Sequence, residues 1–62
     1  MPTTQDVMDA FDSLGGQPVH HVALQSSLLD RGFEAGPIAD AVEAAMQAGL
    51  LQLYSSGFLA RP

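Results

Sequence analysis

A chain of 62 residues has room for one domain, and a domain this small sits near the lower limit for folding on a hydrophobic core alone. There is no cysteine, which excludes disulfides and thiolate metal sites, so the 47% of hydrophobic residues must do the stabilising, helped by self-association where it occurs. Seven acidic side chains face two basic ones, Arg31 and Arg61; the net charge of −5 disfavours nucleic acid and anionic membranes and, if anything, favours a basic partner.

Thr3 or Thr4 is expected to cap a first helix over residues 4–14. Asp6, three residues after Thr3, suits both a capping-box arrangement and the helix dipole. Val7, Met8, Phe11 and Leu14 recur at helical spacing, with Asp6, Asp9 and Asp12 on another side. Gly15-Gly16 ends the helix. Gln17-Pro18-Val19 reads as an extended connector, because Pro18 disfavours helix at the residue before it. His20 to Arg31 holds no Gly or Pro and reads as a second helix with Val22, Leu24, Leu28 and Leu29 apolar and Ala23 small enough for close approach; Gly32 stops it.

Phe33 stands alone in the turn that follows. Glu34-Ala35-Gly36-Pro37 then opens a third helix, with Pro37 suited to its first turn. Ile38, Ala41, Val42, Ala45 and Met46 mark one buried face, and Gly49 closes the helix. Residues 50–54 and 58–61 read as two strands joined by Ser55-Ser56-Gly57, a three-residue hairpin loop ending in a left-handed glycine. That register pairs Tyr54 with Phe58, Leu53 with Leu59, and Gln52 with Ala60. A one-residue slip, with Tyr54 opposite Leu59, is the alternative. In the first register Leu51, Leu53 and Leu59 face the helices, while Gln52, Tyr54, Phe58 and Ala60 face outward. Phe11, Leu28, Phe33, Ile38, Val42, Met46 and Leu53 are the expected core.

The fold class expected is mostly α with a small β-hairpin, a single domain over residues 1–62. Helix, connector, helix, turn, helix, hairpin is the order of winged helix-turn-helix domains. The chain resembles that superfamily in Phe33 standing five residues before Ile38, and in the run Ile38, Ala41, Val42, Ala45, Met46 leading to Gly49-Leu50-Leu51. A plain three-helix bundle with an irregular tail is the alternative. The resemblance implies DNA binding through the third helix and a basic wing. The sequence departs from that pattern: the third helix carries Glu34, Asp40 and Glu43 as its only charges, with Ala39, Ala44 and Gln47 outward, and the hairpin loop is uncharged. Small iron-transport accessory proteins are similar in size and layout but carry cysteines in the wing, so an iron–sulfur or redox-sensing role does not carry over.

No site for catalysis is visible, and no cofactor is expected. The serines lack a nucleophile context, and Gly15-Gly16 has no lysine after it as a phosphate loop would. His20-His21, read as adjacent helix positions about 100° apart, cannot close on one metal ion. Asp6, Asp9 and Asp12 read as a solvated face, with docking of a basic partner as the second reading. No apolar run approaches the ~18 residues of a membrane span, and no basic segment followed by an apolar stretch opens the sequence; a cytoplasmic location is the expectation. The function expected is that of a non-enzymatic, regulatory protein-interaction module, with an unidentified protein or a second copy of the chain in a homodimer as partner. Contact is expected through Gln52, Tyr54, Phe58, Ala60 and Arg61, with the free edge of the second hairpin strand open to strand addition. The alternative is a DNA-binding transcriptional regulator acting as a dimer or with a basic partner.

Overall fold

Thr3 and Asp6 begin the first helix by satisfying each other's backbone. The Thr3 hydroxyl accepts the Asp6 N–H at 3.1 Å, and the Asp6 carboxylate accepts the Thr3 N–H at 2.8 Å, a complete capping box. The computed structural model describes residues 2–15 and 18–62; what was expected of Gly16 and Gln17 lies outside them. Helix α1 spans Thr4–Ser13 and buries Val7, Met8, Ala10 and Phe11. Leu14, expected on the same stripe, is exposed: it is the C-cap, and the stripe ends with the helix.

Residues 19 and 20 depart from expectation. Val19–His20 is not connector and helix start but a short strand, β1, and helix α2 spans His21–Asp30 with His20 as its N-cap. α2 buries only Leu24 and Leu28. Val22 and Leu29 are exposed, because they lie well round the helix from that pair, and Ala23 is exposed rather than at a close approach. Helix α3 spans Ala35–Gln47, with Glu34 as N-cap and Pro37 in the first turn, where a missing N–H leaves no bond unmade. It packs on both other helices through Ile38, Ala41 and Ala45.

The hairpin consists of β2, Gln52–Leu53, and β3, Phe58–Ala60. Its register is the expected one: Gln52 opposite Ala60, Leu53 opposite Leu59, and the Tyr54 N–H donating to the Phe58 carbonyl at 2.7 Å. Ser55–Gly57 forms a turn of 3-10 type with Ser56 and Gly57 both left-handed, φ 67° and 80°. Strand β3 also pairs with β1, Val19 opposite Leu59 and His20 opposite Phe58, so the sheet is antiparallel in the order β1-β3-β2. This corrects the expectation of a free edge on the second hairpin strand. Both sides of β3 are paired, and the open edges belong to β1 and β2.

The core gathers Val7, Phe11, Leu24, Leu28, Ile38 and Leu59 as its largest fully buried side chains, with Leu51 beside them. Phe33, Val42 and Met46, expected inside, are only partly buried against it. Leu53, also expected inside, is 56% exposed. Its parity is as read, on the side of Leu51 and Leu59, but β2 is an edge strand and Leu53 lines a surface groove instead of the core. Among the described residues no helix is long and apolar enough to cross a membrane.

Candidate functional site

Strand alternation sets the surface of the sheet. Along β2 and β3, Gln52, Tyr54, Phe58 and Ala60 share the face turned from the helices. Gln52, Tyr54 and Phe58 are exposed and Ala60 is half-buried. The register extends this face to β1, so that His20 of β1, Phe58 of β3 and Tyr54, just past β2, form one row. The ring against Phe58 is that of His20, edge to face with centroids 5.3 Å apart and an interplanar angle of 87°. The exposed aromatic surface is therefore backed by an imidazole that hairpin parity alone does not bring there.

His20 has a second task. Its Nδ1 accepts the Val22 N–H at 3.2 Å and so caps α2. The His21 ring stacks on it, centroids 4.5 Å apart and 27° from parallel. The two rings thus lie together, contrary to the divergence expected of neighbouring helix positions, because His20 is extended at the cap rather than helical. They close over Gly57. A Cβ at that position would stand 2.8 Å from His21 Cδ2 and 3.1 Å from the Nε2 atoms of both rings. The arrangement is a poor metal centre. With Nδ1 accepting, the neutral His20 ring carries its proton on Nε2; a metal there would move the proton to Nδ1, against the Val22 N–H.

The three aspartates of α1 are each engaged within the chain. Asp6 completes the capping box, Asp9 accepts Gln5 Nε2 at 2.8 Å, and Asp12 accepts Arg61 Nη2 at 2.7 Å. Arg61 also stands over the Phe11 ring, 5.9 Å from its centroid, so it reaches back to α1 rather than joining Tyr54 and Phe58 on the outer face. Arg31 donates from Nη2 to Ser13 Oγ at 3.1 Å, and that hydroxyl donates to the Asp9 carbonyl at 2.9 Å. Both cations of the chain therefore engage α1.

On the other side of the hairpin lies an apolar groove of about 380 Å³. It is lined by Ala39, Val42 and Met46 of α3, His21 and Gln25 of α2, and the exposed Leu53 of β2. Ile38 and Leu59, both buried, form part of its lining. This groove escapes a reading of the sequence, because it depends on how α2, α3 and the hairpin, distant along the chain, come together. The signal nearest to it is the partial exposure of Val42 and Met46 on an otherwise buried stripe. No family model, no curated protein and no solved structure matches the chain.

Proposed function

We propose that the chain is a non-enzymatic protein-interaction module on a winged-helix scaffold, which meets its partner through the hairpin. The order α1, β1, α2, α3, β2, β3, with the hairpin's second strand also holding β1, supports the scaffold. One observation carries the function. Among the described residues seven large hydrophobic side chains are exposed, and four of them (Leu50, Leu53, Tyr54 and Phe58) fall within nine consecutive residues at the hairpin. Apolar groups scattered singly over a surface need no explanation, but a concentration on one small element marks a contact. Aromatic anchors such as Tyr54 and Phe58 are the residue types that most often dominate protein interfaces.

The test is the double substitution Tyr54→Ser with Phe58→Ser, followed by sedimentation and by partner capture. Both side chains are exposed, so the fold should survive. The expected result is a folded protein that no longer recovers the partner, or no longer self-associates if the partner is a second copy. Unchanged folding, mass and recovery would leave the hairpin as no more than a cover for the core.

A further inference from the structure

We propose that the groove between α2, α3 and β2 receives an amphipathic helix of another protein, with aliphatic anchors flanked by lysine or arginine. The inference rests on the interaction reading above and gives the partner a chemistry. Three observations carry it.

The first is shape. Ala39, Val42 and Met46 stand at i, i+3 and i+7 on α3 and line the groove along about 10.5 Å of helix. A partner helix presenting anchors at i, i+3 or i+4, and i+7 covers the same length, which is the usual way a helix occupies an apolar groove. The second is the missing cover. Leu53 is 56% exposed although its parity turns it toward the helices, and Val42 and Met46 are only partly buried. Among the described residues nothing fills the space between them.

Charge is the third. Glu43 stands one helical turn beyond Ala39, and its carboxylate accepts from Gln47 Nε2 at 3.2 Å. Both arginines engage α1, through Asp12 and Ser13, and α1 contributes no residue to the groove. Glu43 thus flanks the groove face of α3 with neither arginine of the chain paired to it, on a chain whose net charge is −5. A second copy, also at −5, brings repulsion to this surface rather than complementarity. A cationic flank on the incoming helix answers it and accelerates encounter.

The experiment uses a labelled helical peptide of leucine and lysine, about 14 residues long, and its leucine–glutamate counterpart, with fluorescence anisotropy in about 150 mM salt. The proteins are the parent, Leu53→Ser, Glu43→Lys and, as a control on α1, Asp9→Lys. All three positions are exposed, and circular dichroism verifies the fold; if Leu53→Ser does not fold, Glu43→Lys carries the test. The leucine–lysine peptide should bind the parent and the Asp9 variant alike, about tenfold more weakly to Leu53→Ser, and severalfold more weakly to Glu43→Lys. The leucine–glutamate peptide should not bind. The proposal is overturned by equal binding of both peptides, by binding indifferent to residues 53 and 43, by no binding at all, or by a parent dimer that Leu53→Ser dissolves. None of those results alters the outcome of the Tyr54/Phe58 test, so the two readings fail separately.

Discussion

Leu53 and Leu59 are register partners in the hairpin, yet Leu59 is 1% exposed and Leu53 is 56% exposed. Both lie on the helix-facing side of the sheet. Leu59 belongs to the central strand and meets the core; Leu53 belongs to the outer strand and meets the groove. Their truncations should therefore differ sharply. Leu59→Ala is expected to cost about 2–5 kcal/mol, enough to unfold much of a domain this small, and Leu53→Ala to stay within about 0.5 kcal/mol. Urea denaturation of the two variants measures this. Equal losses would place Leu53 in the core.

His20 joins the sheet to α2 through one hydrogen bond. Replacing it with alanine leaves the Val22 N–H without its acceptor and is expected to cost about 0.5–2 kcal/mol. For a domain of this size that is a fall in Tm of several degrees, about 4–8 °C for each kcal/mol. His20→Asn keeps a side-chain acceptor at the cap and should recover most of the loss. If asparagine and alanine melt together, the cap is not what His20 contributes.

The hairpin turn should respond with opposite signs at adjacent residues. Ser56 holds φ 67°, where a side chain is disfavoured, so Ser56→Gly is expected to stabilise by roughly 0.5–1 kcal/mol. Gly57 holds φ 80° beneath the two imidazoles, and the Cβ of Gly57→Ala would press on His21 at 2.8 Å. That change should destabilise by at least about 1 kcal/mol. Calorimetry of both variants decides it; a neutral Gly57→Ala would mean that the His21 ring moves aside freely.

Duplex DNA should bind more weakly than micromolar in about 150 mM salt, since tighter binding exceeds ordinary non-specific affinity. The two arginines are already engaged on α1, and α3 offers Asp40 and Glu43 to an approaching phosphate. A gel shift with a random duplex makes the measurement. Micromolar or tighter binding that weakens steeply with salt would favour the DNA-binding alternative.

What the sequence made legible was local. The Thr3–Asp6 box, the Ile38–Ala41–Ala45 stripe and the hairpin register all follow from residues within a few positions of one another, and the structure has each of them. Strand β1 was not legible. It is two residues long, and Val19 finds its partner at Leu59, forty positions later, so no periodicity records the pairing. Burial at the margins was hidden for a related reason. Val22, Leu29 and Leu53 are as apolar as Leu24 and Leu28; which side of α2 meets the core, and what packs against β2, is decided by tertiary contacts. Of the proposed contact surface, the exposure of Tyr54 and Phe58 could be read from parity; the His20 ring against Phe58 and the groove beyond Leu53 could not.

Strand β3 joins both other strands, and it is the last of the three to leave a ribosome. A nascent chain that has emerged as far as Gly57 contains every residue of the three helices but neither ladder of the sheet, since β1 and β2 do not touch without β3 between them. Until Phe58, Leu59 and Ala60 follow, Val19 has no strand partner and the core lacks the Leu59 side chain. Three residues thus close both ladders at once, and the native sheet cannot exist before Ala60 has been made.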